Sequence, residues 1–160
     1  MTSSNAIGDR GESIFTTRIT QENLFRVYFL GEKAPIVDFL LEILDEKNPY
    51  YFMVQVKSTE KGYNKKGRLK ASVPIKKLNK LIDKALPTYI AGVDLNSEIV
   101  YVCPAFDKNI KYTTIATNHL LYFNNKEETM KTLSLLKQDV IHYYKSYNIA
   151  EFKETYKSLL

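Results

Sequence analysis

Two short apolar runs carrying polar groups at spacing two constrain this chain most: Ile36-Val37-Asp38-Phe39-Leu40-Leu41-Glu42 and Val54-Gln55-Val56-Lys57. Alternate side chains of a strand share a face, so Asp38, Leu40 and Glu42 point one way in the first run, and Gln55 and Lys57 share a face in the second. As neighbouring strands, the runs gather a carboxylate, an amide and an amine on one side of a sheet. Buried among Ile, Val, Phe and Leu, such groups are strongly unfavourable unless something compensates them. A divalent cation with oxygen ligands would do so. Asp38 offers a hard anionic oxygen, Gln55 an amide carbonyl and Val56 its backbone carbonyl, a set that suits Mg²⁺ or Mn²⁺ better than Zn²⁺. Lys57 would stand beside the metal, placed to orient or deprotonate a water. The alternative without chemistry is an Asp38-to-Lys57 salt bridge across two strands, and strand geometry alone does not separate the two.

The order of these runs adds to the reading. Gly8-Asp9-Arg10-Gly11-Glu12 opens a helix, Val37-Asp38-Phe39-Leu40-Leu41-Glu42 follows, and Phe52-Met53-Val54-Gln55-Val56-Lys57-Ser58-Thr59 comes third. In this order the chain resembles the PD-(D/E)XK superfamily of restriction-endonuclease-like nucleases, and within it a small prokaryotic branch of unknown function. The resemblance covers about the first hundred residues and continues weakly through Leu86-Pro87-Thr88-Tyr89-Ile90-Ala91-Gly92-Val93-Asp94. It implies an α/β restriction-endonuclease-like core, a central mixed sheet flanked by helices, with C-terminal helices after it. It also implies a site made of Glu12, Asp38, Gln55 and Lys57. Asp38, Gln55, Glu12 and the backbone of Val56 would hold Mg²⁺ or Mn²⁺, and Glu42, on the Asp38 face, would support them from behind. Two departures stand out: the usual Pro beside the strand Asp is absent, Pro35 lying three residues upstream, and Gln55 removes one negative charge.

The implied activity is a metal-dependent phosphodiesterase acting on nucleic acid, in the first instance a DNA endonuclease of phage defence, repair or restriction. Lys57 would position the attacking water and offset charge building on the phosphate. A second reading is a nuclease-like module without catalysis that binds nucleic acid or a partner protein, motivated by Gln55 and the missing adjacent Pro. A third is a subunit of a defence system that stays silent until its partner activates it.

Composition agrees with one compact domain over residues 1–160, its core about 7–104 and a helical C-terminal part about 105–160: 44% of residues are hydrophobic and 26% charged. No apolar run approaches a membrane span, and the start Met1-Thr2-Ser3-Ser4-Asn5 is polar, so a cytoplasmic protein is expected with no membrane partner. One cysteine, Cys103, excludes an internal disulfide and a Cys-based zinc site. Its place in Val100-Tyr101-Val102-Cys103 reads as a buried strand position. His119 and His142 lack ligand spacing.

Along the chain, Ile7, Gly11, Ile14, Phe15 and Ile19 recur at helical spacing. They predict a helix from Gly8 to Gln21, with Gly8 and Gly11 permitting close approach to another element and Glu12 at the stripe's edge. Three strands follow, Phe25 to Leu30, Ile36 to Leu44 and Tyr51 to Ser58, as a meander. A short strand over Lys70 to Val73, a helix from Pro74 to Leu86, and a hairpin of Tyr89 to Leu95 and Ile99 to Cys103 around Asn96-Ser97 come next. Glu127 to Tyr147 reads as a helix with Met130, Leu133, Leu136, Val140, Ile141 and Tyr144 inward, and Phe152 to Leu160 as a short terminal helix or frayed tail.

Charge is uneven. From Lys57 to Lys80 there are nine basic residues and one acid, so this segment carries +8 of a net +5 and the remainder −3. Its loop, with Lys61, Tyr63, Lys65, Lys66, Arg68 and Lys70, leaves directly from the Gln-x-Lys strand. Basic groups there would attract a polyanion through phosphate contacts and counterion release, and Tyr63 could stack on a base. Gly62 and Gly67 suggest a mobile flap that orders on binding. The alternative is a lysine-rich solvated surface. Tyr143, Tyr144 and Tyr147 suggest a partner-facing ridge, and a two-fold homodimer is what the resemblance leads one to expect.

Overall fold

The computed structural model describes residues 3–31, 37–44, 47, 49–74, 86–105, 114–117, 121–123 and 125–146. Helix α1 spans Ser4–Ile19. It starts earlier than periodicity suggests because Ser3 is its N-cap, the Ser3 Oγ accepting from the Ala6 N–H at 3.2 Å. Gly11, Phe15 and Ile19, four residues apart, form its buried stripe. At its end Thr20 closes the last turn, its hydroxyl donating to the Thr16 carbonyl at 2.7 Å.

Six strands follow: β1 Phe25–Phe29, β2 Phe39–Ile43, β3 Tyr51–Thr59, β4 Thr88–Asp94, β5 Ile99–Pro104 and β6 Leu121–Phe123. They lie side by side in chain order. Every neighbouring pair is antiparallel except β3 and β4, which run parallel, so the sheet is mixed. A parallel pair requires a long crossover, and the basic segment is part of it. The expected meander and hairpin are present, while β6 enlarges the sheet from within the part read as helical. Three residues are too short a run for a period-two pattern to declare itself.

Helix α2, Lys126–Ser146, begins at Asn125, whose Oδ1 accepts from the Glu128 N–H at 2.9 Å. Leu133, Leu136 and Val140 face inward and join Phe15, Ile19, Leu41, Phe52, Val54 and Tyr89 in one core on one face of the sheet. On the opposite face Leu69, Ala71, Val73 and Ile115 pack on Ile90, Tyr101 and Cys103. Gly92 makes that covering possible, since a Cβ there would meet Leu69 and Ile115 side-chain carbons at 2.9 Å. Cys103 is fully buried in β5.

Several expectations change. Met130 is 51% exposed, not inward. Tyr144 turns to the sheet, its ring 5.0 Å from that of Tyr50 and its hydroxyl donating to the Tyr51 carbonyl, so it does not form an outward ridge. Residues 70–73 run without strand pairing, and Leu69 instead forms single bridges to Tyr63 and Ile115. The helix expected between Pro74 and Leu86 falls chiefly outside the described residues, as do Tyr147, His119 and the segment Phe152 to Leu160. Among the described residues no helix is long and apolar enough to cross a membrane.

Candidate active site and basic surface

Three elements converge where β2 begins. Strand β2 starts at Phe39, so Asp38 sits at a bend one residue before it, shorter than the run from Ile36 implies. The ladder nevertheless continues: the Asp38 N–H donates to the Val54 carbonyl at 3.1 Å, and its carbonyl accepts from the Leu30 N–H at 2.9 Å. Phe39 pairs with Val54, which sets Asp38 beside Gln55. Its Oδ2 accepts twice, from the Val56 N–H at 2.7 Å and from Gln55 Nε2 at 2.9 Å. Gln55 is 5% exposed, and this bond satisfies a buried amide.

Glu12 reaches the same place from α1. Burial pushes its carboxyl pKa up, and the neighbouring charges of Asp38 and then Asp9 push it further. What brings the helix this close is Gly11. A Cβ there would stand 1.5 Å from Ser58 Oγ and 2.6 Å from Ser58 Cβ, so α1 lies directly against β3. By contrast Gly8, also read as a close-approach position, has open space around its missing Cβ.

Lys57 follows Gln55 at spacing two, as strand geometry demands, and lines a cavity of about 530 Å³ with Ser58, Thr59, Lys61, Lys70 and Ser72. Three lysines and three hydroxyls face this space against one acid, Glu60. Glu42 goes elsewhere. It accepts from the Tyr28 hydroxyl at 2.8 Å and lies 3.9 Å from Arg26, which opposes it across β1 and β2. Strand alternation placed it on the Asp38 face, but three residues of strand separate the two and a cross-strand partner takes its charge.

The basic loop is knit together and not an open flap. Asn64 Oδ1 accepts from the Lys66 and Arg68 N–H groups at 2.9 and 3.0 Å, and the Lys70 N–H returns to the Gly62 carbonyl at 2.9 Å. Positive φ angles of 67° at Gly62 and 74° at Gly67 explain the glycines as turn positions. Arg68 Nε donates to Thr114 Oγ1 at 2.8 Å. Tyr63 is tied down as well: its hydroxyl lies 2.9 Å from Asp94 Oδ2 and 2.8 Å from the Tyr101 hydroxyl, though the ring remains 38% exposed. Lys61, Lys65, Lys66 and Lys70 stay on the surface.

Sequence reasoning missed Asp94, a 3% exposed carboxylate that also accepts from Ser97 Oγ at 2.7 Å and the Asn96 N–H at 3.1 Å. An Asp closing a strand just before Asn-Ser was its available signal. It also missed Phe29, 64% exposed beside α1. Nothing in a short apolar strand separates an exposed aromatic from a buried one.

Among the described residues no three His, Cys, Asp or Glu side chains gather as metal ligands. The oxygen cluster is two carboxylates, Glu12 and Asp38, with one amide.

The fold itself defines a class, an α/β mixed sheet with helices packed on it. A solved structure with this fold is that of a bacterial homing endonuclease, I-Ssp6803I. The two align with a TM-score of 0.57 and 18% sequence identity, over 92% of this chain and 100% of that one, and at this identity the likeness is one of fold. No family model and no curated protein matches the sequence.

Proposed function

We propose that the chain is a divalent-metal-dependent phosphodiesterase acting on nucleic acid, in the first instance a DNA endonuclease. The observation that supports this reading is the Gln55 hydrogen bond to Asp38, with Glu12 near enough to feel the Asp38 charge and Lys57, two residues beyond Gln55, lining a lysine-rich cavity. The homing endonuclease that shares the fold supports it.

The donor set fits Mg²⁺ or Mn²⁺: two carboxylates, an amide and the Val56 carbonyl are all hard oxygens. Burial and the charge of Asp38 raise the proton affinity of Glu12, and a cation between the two carboxylates would relieve that repulsion. Glu12, Asp38, Gln55 and Val56 would hold it. When bound, such a cation polarises a phosphate and lowers the pKa of a coordinated water. Lys57 places an ammonium beside the reacting phosphate, orients the water and offsets the charge that develops. Lys61 and Lys70 hold neighbouring phosphates in the cavity, and Lys65, Lys66 and Arg68 extend the attraction outward.

The test compares the wild-type protein with Asp38→Ala and Lys57→Ala on linear and single-stranded DNA with Mg²⁺, circular dichroism checking the fold. Cutting should disappear in both variants. Undiminished cutting by either removes this mechanism.

One observation favours a second reading, a nuclease-like module that binds without cutting. Asp38 Oδ2 already has two donors from the chain itself. That module would bind DNA with salt dependence, show no turnover, and keep its Tm unchanged on adding Mg²⁺.

A further inference from the structure

A groove of about 440 Å³ runs between α1 and the outer strand of the sheet. Its floor is Val27, Phe29 and Phe39, and its helix wall presents Asp9, Glu12, Ser13 and Thr16. Glu12 is thus shared between the groove and the carboxylate pair at Asp38.

The floor is aromatic. The Phe29 and Phe39 rings lie 5.5 Å apart, and Phe39 continues to Phe15 at 5.3 Å. Phe29 also sits against Gly31, whose φ is +61° and whose missing Cβ would meet the ring at 3.2 Å. The ring is 64% exposed. A large exposed aromatic is not required for folding here, since β1 already pairs with β2 and buries Phe25.

Two walls of opposite character flank the site. The Lys57, Lys61 and Lys70 cavity suits phosphate, whereas the Asp9 and Glu12 wall repels it. A nucleic-acid strand crossing the carboxylate pair would keep its backbone toward the lysines, leaving a neutral, flat group to enter the aromatic groove.

We propose that this groove binds one unpaired nucleobase next to the reacting phosphate, stacked on Phe29, with its donor edge facing Asp9 and Glu12. The proposal rests on the nucleic-acid reading above and deepens it: the substrate has at least one base out of the duplex stack at this site. Of the four DNA bases, guanine offers a carboxylate two adjacent N–H donors on its pairing edge, while thymine offers one donor flanked by two carbonyls that the acidic wall repels. Guanine is the preferred occupant.

The experiment is equilibrium binding in EDTA, which needs no turnover. Fluorescently labelled single-stranded oligonucleotides carry guanine, thymine or an abasic residue at one central position, and are titrated with wild type, Phe29→Ala, Phe29→Tyr and Lys61→Glu/Lys70→Glu. Removing the base or the ring should each weaken binding about tenfold. The two losses should not add, because each removes the same contact. Phe29→Tyr should restore affinity, and guanine should exceed thymine. Equal affinity for guanine and abasic oligonucleotides, or additive losses, overturns the groove assignment while the lysine variant still loses salt-dependent binding. Wild type that binds no oligonucleotide overturns the nucleic-acid reading itself. Phe29→Ala that leaves oligonucleotide affinity intact but converts a dimer to a monomer in sedimentation assigns the groove to a second copy and overturns the proposal.

Discussion

Replacing Gly11 by Ala tests how the fold delivers Glu12 to the site. A Cβ at this position would lie 1.5 Å from Ser58 Oγ, 2.6 Å from Ser58 Cβ and 3.7 Å from Ser58 Cα. Rotating the serine hydroxyl removes the first clash. It cannot remove the second, because the Ser58 Cβ is fixed by the backbone of β3. Carbon atoms in contact prefer about 3.5–4.0 Å, so α1 must retreat by about 1 Å. Overpacking of this kind costs about 1–3 kcal/mol, against about 1 kcal/mol gained by taking glycine out of a helix interior. A net loss of up to about 2 kcal/mol corresponds to a Tm lowered by roughly 4–8 °C for a domain of this size. Ser58→Ala keeps the offending Cβ and should not rescue Gly11→Ala. Ser58→Gly leaves only the Cα, at ordinary contact distance, and should rescue it, less about 0.5–1 kcal/mol for a glycine in a strand. Thermal and urea unfolding of wild type, the single variants and the two double variants form two double-mutant cycles, and on the proposed reading the same shift of α1 should lower cutting by moving Glu12 from Asp38. Rescue by Ser58→Ala as complete as by Ser58→Gly, or no destabilisation in Gly11→Ala, would refute the reasoning.

Three further outcomes follow from the charges. Burial and Asp38 raise the Glu12 pKa, so the stability Glu12 contributes is full below its unfolded pKa and lost as pH rises through the folded value. Glu12→Gln should therefore raise Tm in EDTA at neutral pH while abolishing any Mg²⁺-induced rise, and a lower Tm in EDTA would contradict this. Tyr89 is 1% exposed, and burial followed by its hydrogen bond to Asp139 at 2.6 Å raises its pKa. Stability should be full below about pH 10, the unfolded tyrosine value, and fall above it, with Tyr89→Phe flattening that fall in urea titrations. Asp94→Ala removes the buried carboxylate that accepts from the Tyr63 and Ser97 hydroxyls, which should cost about 1.5–3 kcal/mol in urea unfolding and loosen the basic loop, on the proposed reading weakening oligonucleotide binding at constant salt. Unchanged binding would separate the loop's lysines from its anchoring.

Strand alternation and helical spacing made the sheet and α1 legible, because β2 and β3 bury Phe39, Leu41, Phe52 and Val54 in one core with α1 and α2. Gln55 and Asp38 could be paired from sequence since a strand's register follows its apolar pattern. What the sequence hid depends on tertiary neighbours. Glu42 shares the alternation of Asp38, yet Tyr28 and Arg26 claim it, and only the pairing of β1 with β2 reveals that. Gly62 and Gly67 read as flexibility, but their positive φ angles serve turns of a loop held by Asn64, Thr114 and Asp94. Gly11 was legible as a close approach without its partner; Ser58 lies forty-seven residues away.

Gln55 has a consequence for how a cation would enter. With Glu at this position, three carboxylates would face one another at a site without metal. The amide turns one of those repulsions into a hydrogen bond, donating to Asp38 at 2.9 Å alongside the Val56 N–H at 2.7 Å. Asp38 is therefore partnered by the chain itself, and a cation must compete with two donors for it while gaining only two negative charges. Mg²⁺ held by one or two carboxylates usually draws its remaining ligands from water and substrate phosphate. On the proposed reading, the phosphate brought in by Lys57, Lys61 and Lys70 supplies the charge that Gln55 withholds. Metal affinity should then be weak for the protein alone and rise when uncut oligonucleotide is present, so that the cation is recruited by the substrate and not stored in the fold.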